Sequence, residues 1–139
     1  MSKEIIDLIK MLSEAEQAPI WEEVSNLASA EMREGGQKDF MKFVKAMWPG
    51  FIHGRHHELM AKKFEQIANG DIKRLIINMP PRHTKSEFAS YLLPAWFLGK
   101  FPNKKIIQCS NTAELAVGFG RKVRNLVDSE VYEIGRAHV

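Results

Sequence analysis

The most informative chemistry lies where a short apolar run gives way to a helix-forming stretch. There the chain reads Leu75, Ile76, Ile77, Asn78, Met79, Pro80, Pro81, Arg82, His83, Thr84, Lys85, Ser86, Glu87. These residue types, at this spacing, suit a grip on nucleotide phosphates. Such a grip needs a strand that delivers the chain to a tight turn. Successive backbone N–H groups must then face the phosphate oxygens, and a helix must start there with its positive dipole end at the anion. A lysine adds a mobile positive charge for the β- and γ-phosphates, and the next Ser or Thr hydroxyl ligates Mg²⁺. Lys85 and Ser86 fit these last two roles.

The pattern G-x-x-x-x-G-K-[ST] is met imperfectly, because Met79 and Thr84 stand at its two glycine positions. The plain alternative is a strand, a turn and a helix carrying a surface Lys–Ser pair. The strand before and the helix after are what favour phosphate binding. Thr84 carries a Cβ where glycine would be free. It must adopt a compatible backbone conformation, and its hydroxyl is available for a local hydrogen bond. Arg82, inside the loop, is suited to stabilise charge in a phosphoryl-transfer transition state. A solvent-facing loop arginine is its plain alternative.

The elements that must position this loop follow from spacing. Residues 3–12 carry Ile5, Ile6, Ile9 and Leu12 as one helical stripe. Further helices are expected at about 21–33, ended by Gly35 and Gly36, at about 39–48, and at about 55–68 with Gly70 as the cap. Residues 1–70 therefore read as an N-terminal helical region. Residues 74–79 and 104–110 are runs of strand length. A helix is expected from Lys85 to about Trp96, with Pro94 kinking or ending it. Another starts after Asn111, with Glu114 completing a capping pair, and buries Leu115, Phe119, Val123 and Leu126 or Val127. The order strand, loop, helix, strand, helix predicts an α/β fold with a parallel sheet.

The string RLIINMPPRHTKSE resembles the deviant Walker A segment of phage terminase large subunits, the ATPases that drive DNA into viral capsids. The lead-in FVKAMWPGFIHGRHHELMAKKFEQIANGDIKRL is similar to that family's Trp-Pro element and His-containing helix. The continuation LLPAWFLGKFPNKKIIQCSNTAELAVGFGRKVRNLVDSEVY is similar to its Pro-Ala-Trp helix, second strand and basic helix. The resemblance covers about residues 40–132. It implies an incomplete P-loop NTPase-type parallel sheet, starting at about residue 71 after the helical region. It implies ATP and Mg²⁺, held by Pro80, Pro81, Arg82, His83, Thr84, Lys85, Ser86 and Glu87, with Arg82 and Lys85 assisting hydrolysis and Ser86 on the metal. It also implies double-stranded DNA, a portal protein and a terminase small subunit as partners. The whole would act as a homo-oligomeric ring in the host cytoplasm, docked transiently on the procapsid. A helicase-like DNA translocase and a non-catalytic nucleotide- or DNA-binding module are the alternatives. The Pro-Pro-Arg-His loop and the Pro-Ala-Trp segment argue against the helicase.

Other residues are less specific. His53 and His57 are i, i+4 if one helix holds both, which would allow a metal, but only Glu58 is a nearby carboxylate. Capping and packing histidines are the plainer reading, and the resemblance puts His53, His56 and His57 near the adenine side of a nucleotide pocket. Trp48 and Trp96 read as core. Lys62, Lys63, Arg121, Lys122 and Arg124 form basic faces, for solvent or for DNA. The net charge of +3 is mildly basic and fits a nucleic-acid partner without demanding one. Cys109, the single cysteine, excludes an internal disulfide and reads as a buried thiol in a strand.

The N-terminus is neither a signal peptide nor a membrane span, which points to a cytoplasmic protein without membrane partners. Beyond Lys85 the carboxylates are Glu87, Glu114, Asp128, Glu130 and Glu133, and none follows an apolar strand. The acid that positions water in such ATPases, and the family's nuclease carboxylates, are therefore expected to lie outside this stretch. The terminal string EIGRAHV, residues 133–139, reads as a translated sequencing adapter, and the chain as a fragment of a longer gene product.

Overall fold

A computed structural model describes residues 3–129 and 132. The expected adapter-like tail lies outside the described residues. The chain forms two compact units, Met1–Glu31 and Met32–Val139. In the first, α1 spans Lys3–Lys10, and α2 begins at Glu14 and runs to Lys38. The start of α2 lies well before the expected residue 21. Ser13 explains it: its N–H and hydroxyl both donate to Glu16 Oε2, at 3.1 and 2.6 Å, which is the glutamate half of a capping box. That start holds although Pro19, inside the helix, removes one ladder bond. Gly35 and Gly36 do not end α2 either. The Gly35 carbonyl accepts the Asp39 N–H, and the Gly36 carbonyl accepts Trp96 Nε1 at 2.8 Å.

The second unit is built on aromatic packing. Helix α3, Phe40–Met47, starts at Asp39, whose Oδ1 accepts the Lys42 N–H at 2.9 Å. Helix α4, Arg55–Asn69, ends at Gly70 with φ 84°, and the Gly70 N–H bonds back to Gln66 and Ile67. Phe40 is fully buried, with Phe64, Phe88 and Trp96 edge-on at 5.3, 5.7 and 5.3 Å between ring centroids. Such pairs add to the burial itself.

The chain turns helical again at Lys85. Residues Glu87–Leu92 are π-helical and pass directly into α5, Leu93–Lys100. Pro94 was expected to kink or end this helix, yet it lies in the first turn of α5. It has no N–H for the Ser90 carbonyl, and that carbonyl instead accepts Gln108 Nε2 at 2.6 Å. Helix α6, Ala113–Val127, is capped by the Thr112 hydroxyl, one residue after the expected Asn111. It buries Val123 and Leu126 and leaves Leu115 exposed. Tyr132 donates to the Ala95 carbonyl at 2.7 Å and lies so close to α5 that a Cβ at Gly99 would meet its hydroxyl at 2.6 Å.

The expected parallel sheet is absent: among the described residues every regular element is helical, and no strand forms. Residues 74–79 keep the alternation of a strand. Leu75, Ile77 and Met79 pack on the core, whereas Ile76 is 85% exposed. A ladder needs a neighbouring strand about 4.8 Å away. Neither this run nor residues 104–110, where Ile107 is 89% exposed, has one. Cys109 is exposed as a result, contrary to the buried thiol expected. No described helix is long and apolar enough to cross a membrane.

Phe40→Ala should cost about 3–5 kcal/mol, because three rings close on the cavity it leaves. Denaturant unfolding of both proteins measures this. A loss below about 1 kcal/mol would mean that the core does not centre on Phe40.

Candidate functional site

The loop from Met79 to Ser86 joins the unpaired apolar run to the helix beginning at Lys85. Its backbone is unusual for its sequence. Arg82 has φ 64° and Thr84 φ 57°, both left-handed without being glycine. For the β-branched Thr84 this is a real penalty, of the order of 1–3 kcal/mol. The conformation is the one a glycine at the second pattern position would supply freely. A left-handed residue feeding directly into helical ones is the backbone form from which anion-binding turns are built.

Side chains secure that shape. Thr84 Oγ1 donates to the His83 carbonyl at 2.7 Å, and His57 Nε2 lies 2.7 Å from the same oxygen. His83 Nδ1 bonds the Pro81 carbonyl at 2.9 Å. Lys85 reaches back across the loop and donates to the Met79 carbonyl at 3.3 Å. Its ammonium therefore spans the loop's mouth. Phe88 ties the loop to the core: its N–H bonds the Thr84 carbonyl at 2.9 Å and its ring is fully buried.

The other predicted site residues divide. Pro80, Pro81, Arg82, His83 and Ser86 are exposed along the loop. Glu87 is turned away from it, pairing with Lys122 of α6 at 3.0 Å. Both groups are substantially exposed, so this pair contributes less than about 1 kcal/mol. Arg121 and Arg124 are exposed on α6.

The histidines fall into distinct roles. His53 lies before α4 and sits 3.4 Å from Glu58, so it does not share a helix with His57. Among the described residues, no group of three or more His, Cys, Asp or Glu could hold a metal ion. His57 occupies the third position of α4 and accepts the Gly54 N–H on Nδ1 at 2.9 Å. It does for Gly54 what a glutamate does in a capping box. Among the described residues it is the single buried polar or charged side chain. Rings of Phe51 and Phe88 flank it at 4.8 and 4.9 Å. Sequence spacing favoured a packing or capping histidine over a metal ligand paired with His53. The available signal was its place three residues after a glycine that has no side chain with which to cap.

Compared with protein-family models, curated proteins and solved structures, the chain matches none.

Burial, and then the neighbouring His56 and His53, lower the His57 pKa from 6.5 to about 4. The folded chain keeps this ring neutral where the unfolded chain would protonate it. Stability from His57 is therefore complete above pH 6.5 and is lost as pH falls toward 4. Between about pH 7 and about pH 4.5 the wild type should lose about 2–3 kcal/mol more than His57→Gln, by urea unfolding at each pH. Equal losses in the two proteins would show that His57 is not held neutral.

Proposed function

We propose that residues 79–86 are the phosphate grip of a terminase-type, ATP-driven DNA-translocating motor. The observation that carries this reading is the left-handed backbone at Arg82 and Thr84, immediately before a lysine at a helix start. A threonine bears that penalty only if the surroundings hold it there, and such strain concentrates at ligand clamps. The Lys85 ammonium, lying on the Met79 carbonyl, is in place for an anion at the same mouth.

ATP phosphates would be held by the loop N–H groups and by Lys85, with Arg82 adding charge from the exposed side. Ser86 would offer its hydroxyl to Mg²⁺, which keeps most of its waters and needs few protein oxygens. Bound Mg²⁺ would supply neutralisation of phosphate charge. Double-stranded DNA is the partner we assign to the exposed Arg121 and Arg124 of α6, through phosphate contacts.

Lys85→Ala should weaken Mg-ATP binding by roughly a hundredfold, read by titration with a fluorescent ATP analogue. Unchanged affinity would refute the phosphate grip. Ser86→Ala should weaken Mg-ATP several-fold more than Mg-free ATP, because only the metal complex uses the hydroxyl. An equal loss in both would remove Ser86 from the metal.

A further inference from the structure

We propose that His57 is the positioning residue of the phosphate loop: through the Thr84 hydroxyl it holds a left-handed turn that the missing glycine would otherwise provide. The inference rests on the reading of residues 79–86 as a phosphate grip. The hydrogen bonds fix every proton in the chain of contacts. His57 Nδ1 accepts the Gly54 N–H, so the ring proton is on Nε2. The single Thr84 hydroxyl proton goes to the His83 carbonyl at 2.7 Å, so Oγ1 accepts from His57 Nε2 at 2.7 Å. The sequence of donors is Gly54 N–H to His57, His57 to Thr84, Thr84 to His83.

This chain joins two separate parts of the fold. Gly54 is the cap of α4, a helix whose Met60, Ala61 and Phe64 are core residues. Thr84 lies 27 residues beyond His57, at the loop's strained position. The ring between them has little freedom, because Phe51, Phe88 and His56 surround it at 4.8, 4.9 and 3.8 Å. His57 therefore fixes the loop against the helical core rather than merely against its own neighbours. A glycine at position 84 would reach the same φ without help, but it would have no hydroxyl through which to be held.

The two ring nitrogens can be separated by substitution. The asparagine side chain places an acceptor near Nδ1, whereas the longer glutamine amide reaches toward the Nε2 position. His57→Asn keeps the Gly54 bond and loses Thr84. His57→Gln keeps a donor for Thr84 and loses the Gly54 bond. With the full chain and Mg-ATP or inorganic pyrophosphate as probe, His57→Ala and His57→Asn should bind about tenfold more weakly. His57→Gln should recover most of that loss. In a Thr84→Gly background the three substitutions should have equal and small effects, since the turn no longer needs the bond.

NMR supplies a readout independent of binding. Scalar couplings should show Thr84 leaving φ > 0 in His57→Asn and keeping it in His57→Gln, while circular dichroism confirms that the helices persist. Binding by His57→Asn equal to wild type, with Thr84 still left-handed, would overturn the proposal. So would a loss in His57→Gln as large as in His57→Asn, which is the pattern of a helix cap. If the wild type binds neither probe, the phosphate reading fails instead, and the Thr84 couplings alone decide the role of His57.

Discussion

The left-handed turn at Thr84 is the constraint from which the arrangement of the site follows. A threonine does not hold φ 57° unaided. Two neighbours hold it: His57, which bonds its hydroxyl, and Phe88, whose N–H bonds its carbonyl. Both neighbours are buried, and their rings pack against each other at 4.9 Å. The strain is thus supported by the most rigid part of the molecule. Phe88 in turn leans on Phe40, the ring around which α3, α4 and the helix following the loop assemble. Core packing, loop geometry and the direction of the loop's N–H groups are consequently one connected structure.

The helix after the loop shows a second local compromise. Six residues, Glu87–Leu92, take the wider π-helical turn before Pro94 enters the first turn of α5. Gln108 then satisfies the Ser90 carbonyl that proline cannot serve. That bond links residues 104–110 to the helix in the absence of a strand partner. Both apolar runs therefore depend on side chains rather than on ladders. The first buries Leu75, Ile77 and Met79 against the core, while Ile107 of the second stays in solvent.

Elements whose signals are local were legible in the sequence. The helices expected at about 39–48 and 55–68, the second capped by Gly70, describe α3 and α4 closely. The need for a special conformation at Thr84 followed from the glycine pattern it violates. What the residues alone did not show depends on distant partners. A strand is an extended run plus a neighbour, and the pattern of residues 74–79 contains only the run. Gly35 and Gly36 look like a helix stop until Trp96, far along the chain, takes the Gly36 carbonyl. His57 looked like one histidine among several because its partner Thr84 is near only in space. Among the described residues, the order strand, loop, helix, strand, helix was not accompanied by the sheet that order implies.

A phosphate grip requires that an anion settle in the loop held by Thr84. The direct measurement is a ¹H–¹⁵N NMR titration of the full chain with inorganic pyrophosphate, resolving each backbone amide. The amides of residues 82–86 should shift together along one saturation curve, ahead of those on α6. Shifts confined to Arg121, Lys122 and Arg124, with the loop amides unmoved at saturation, would contradict it.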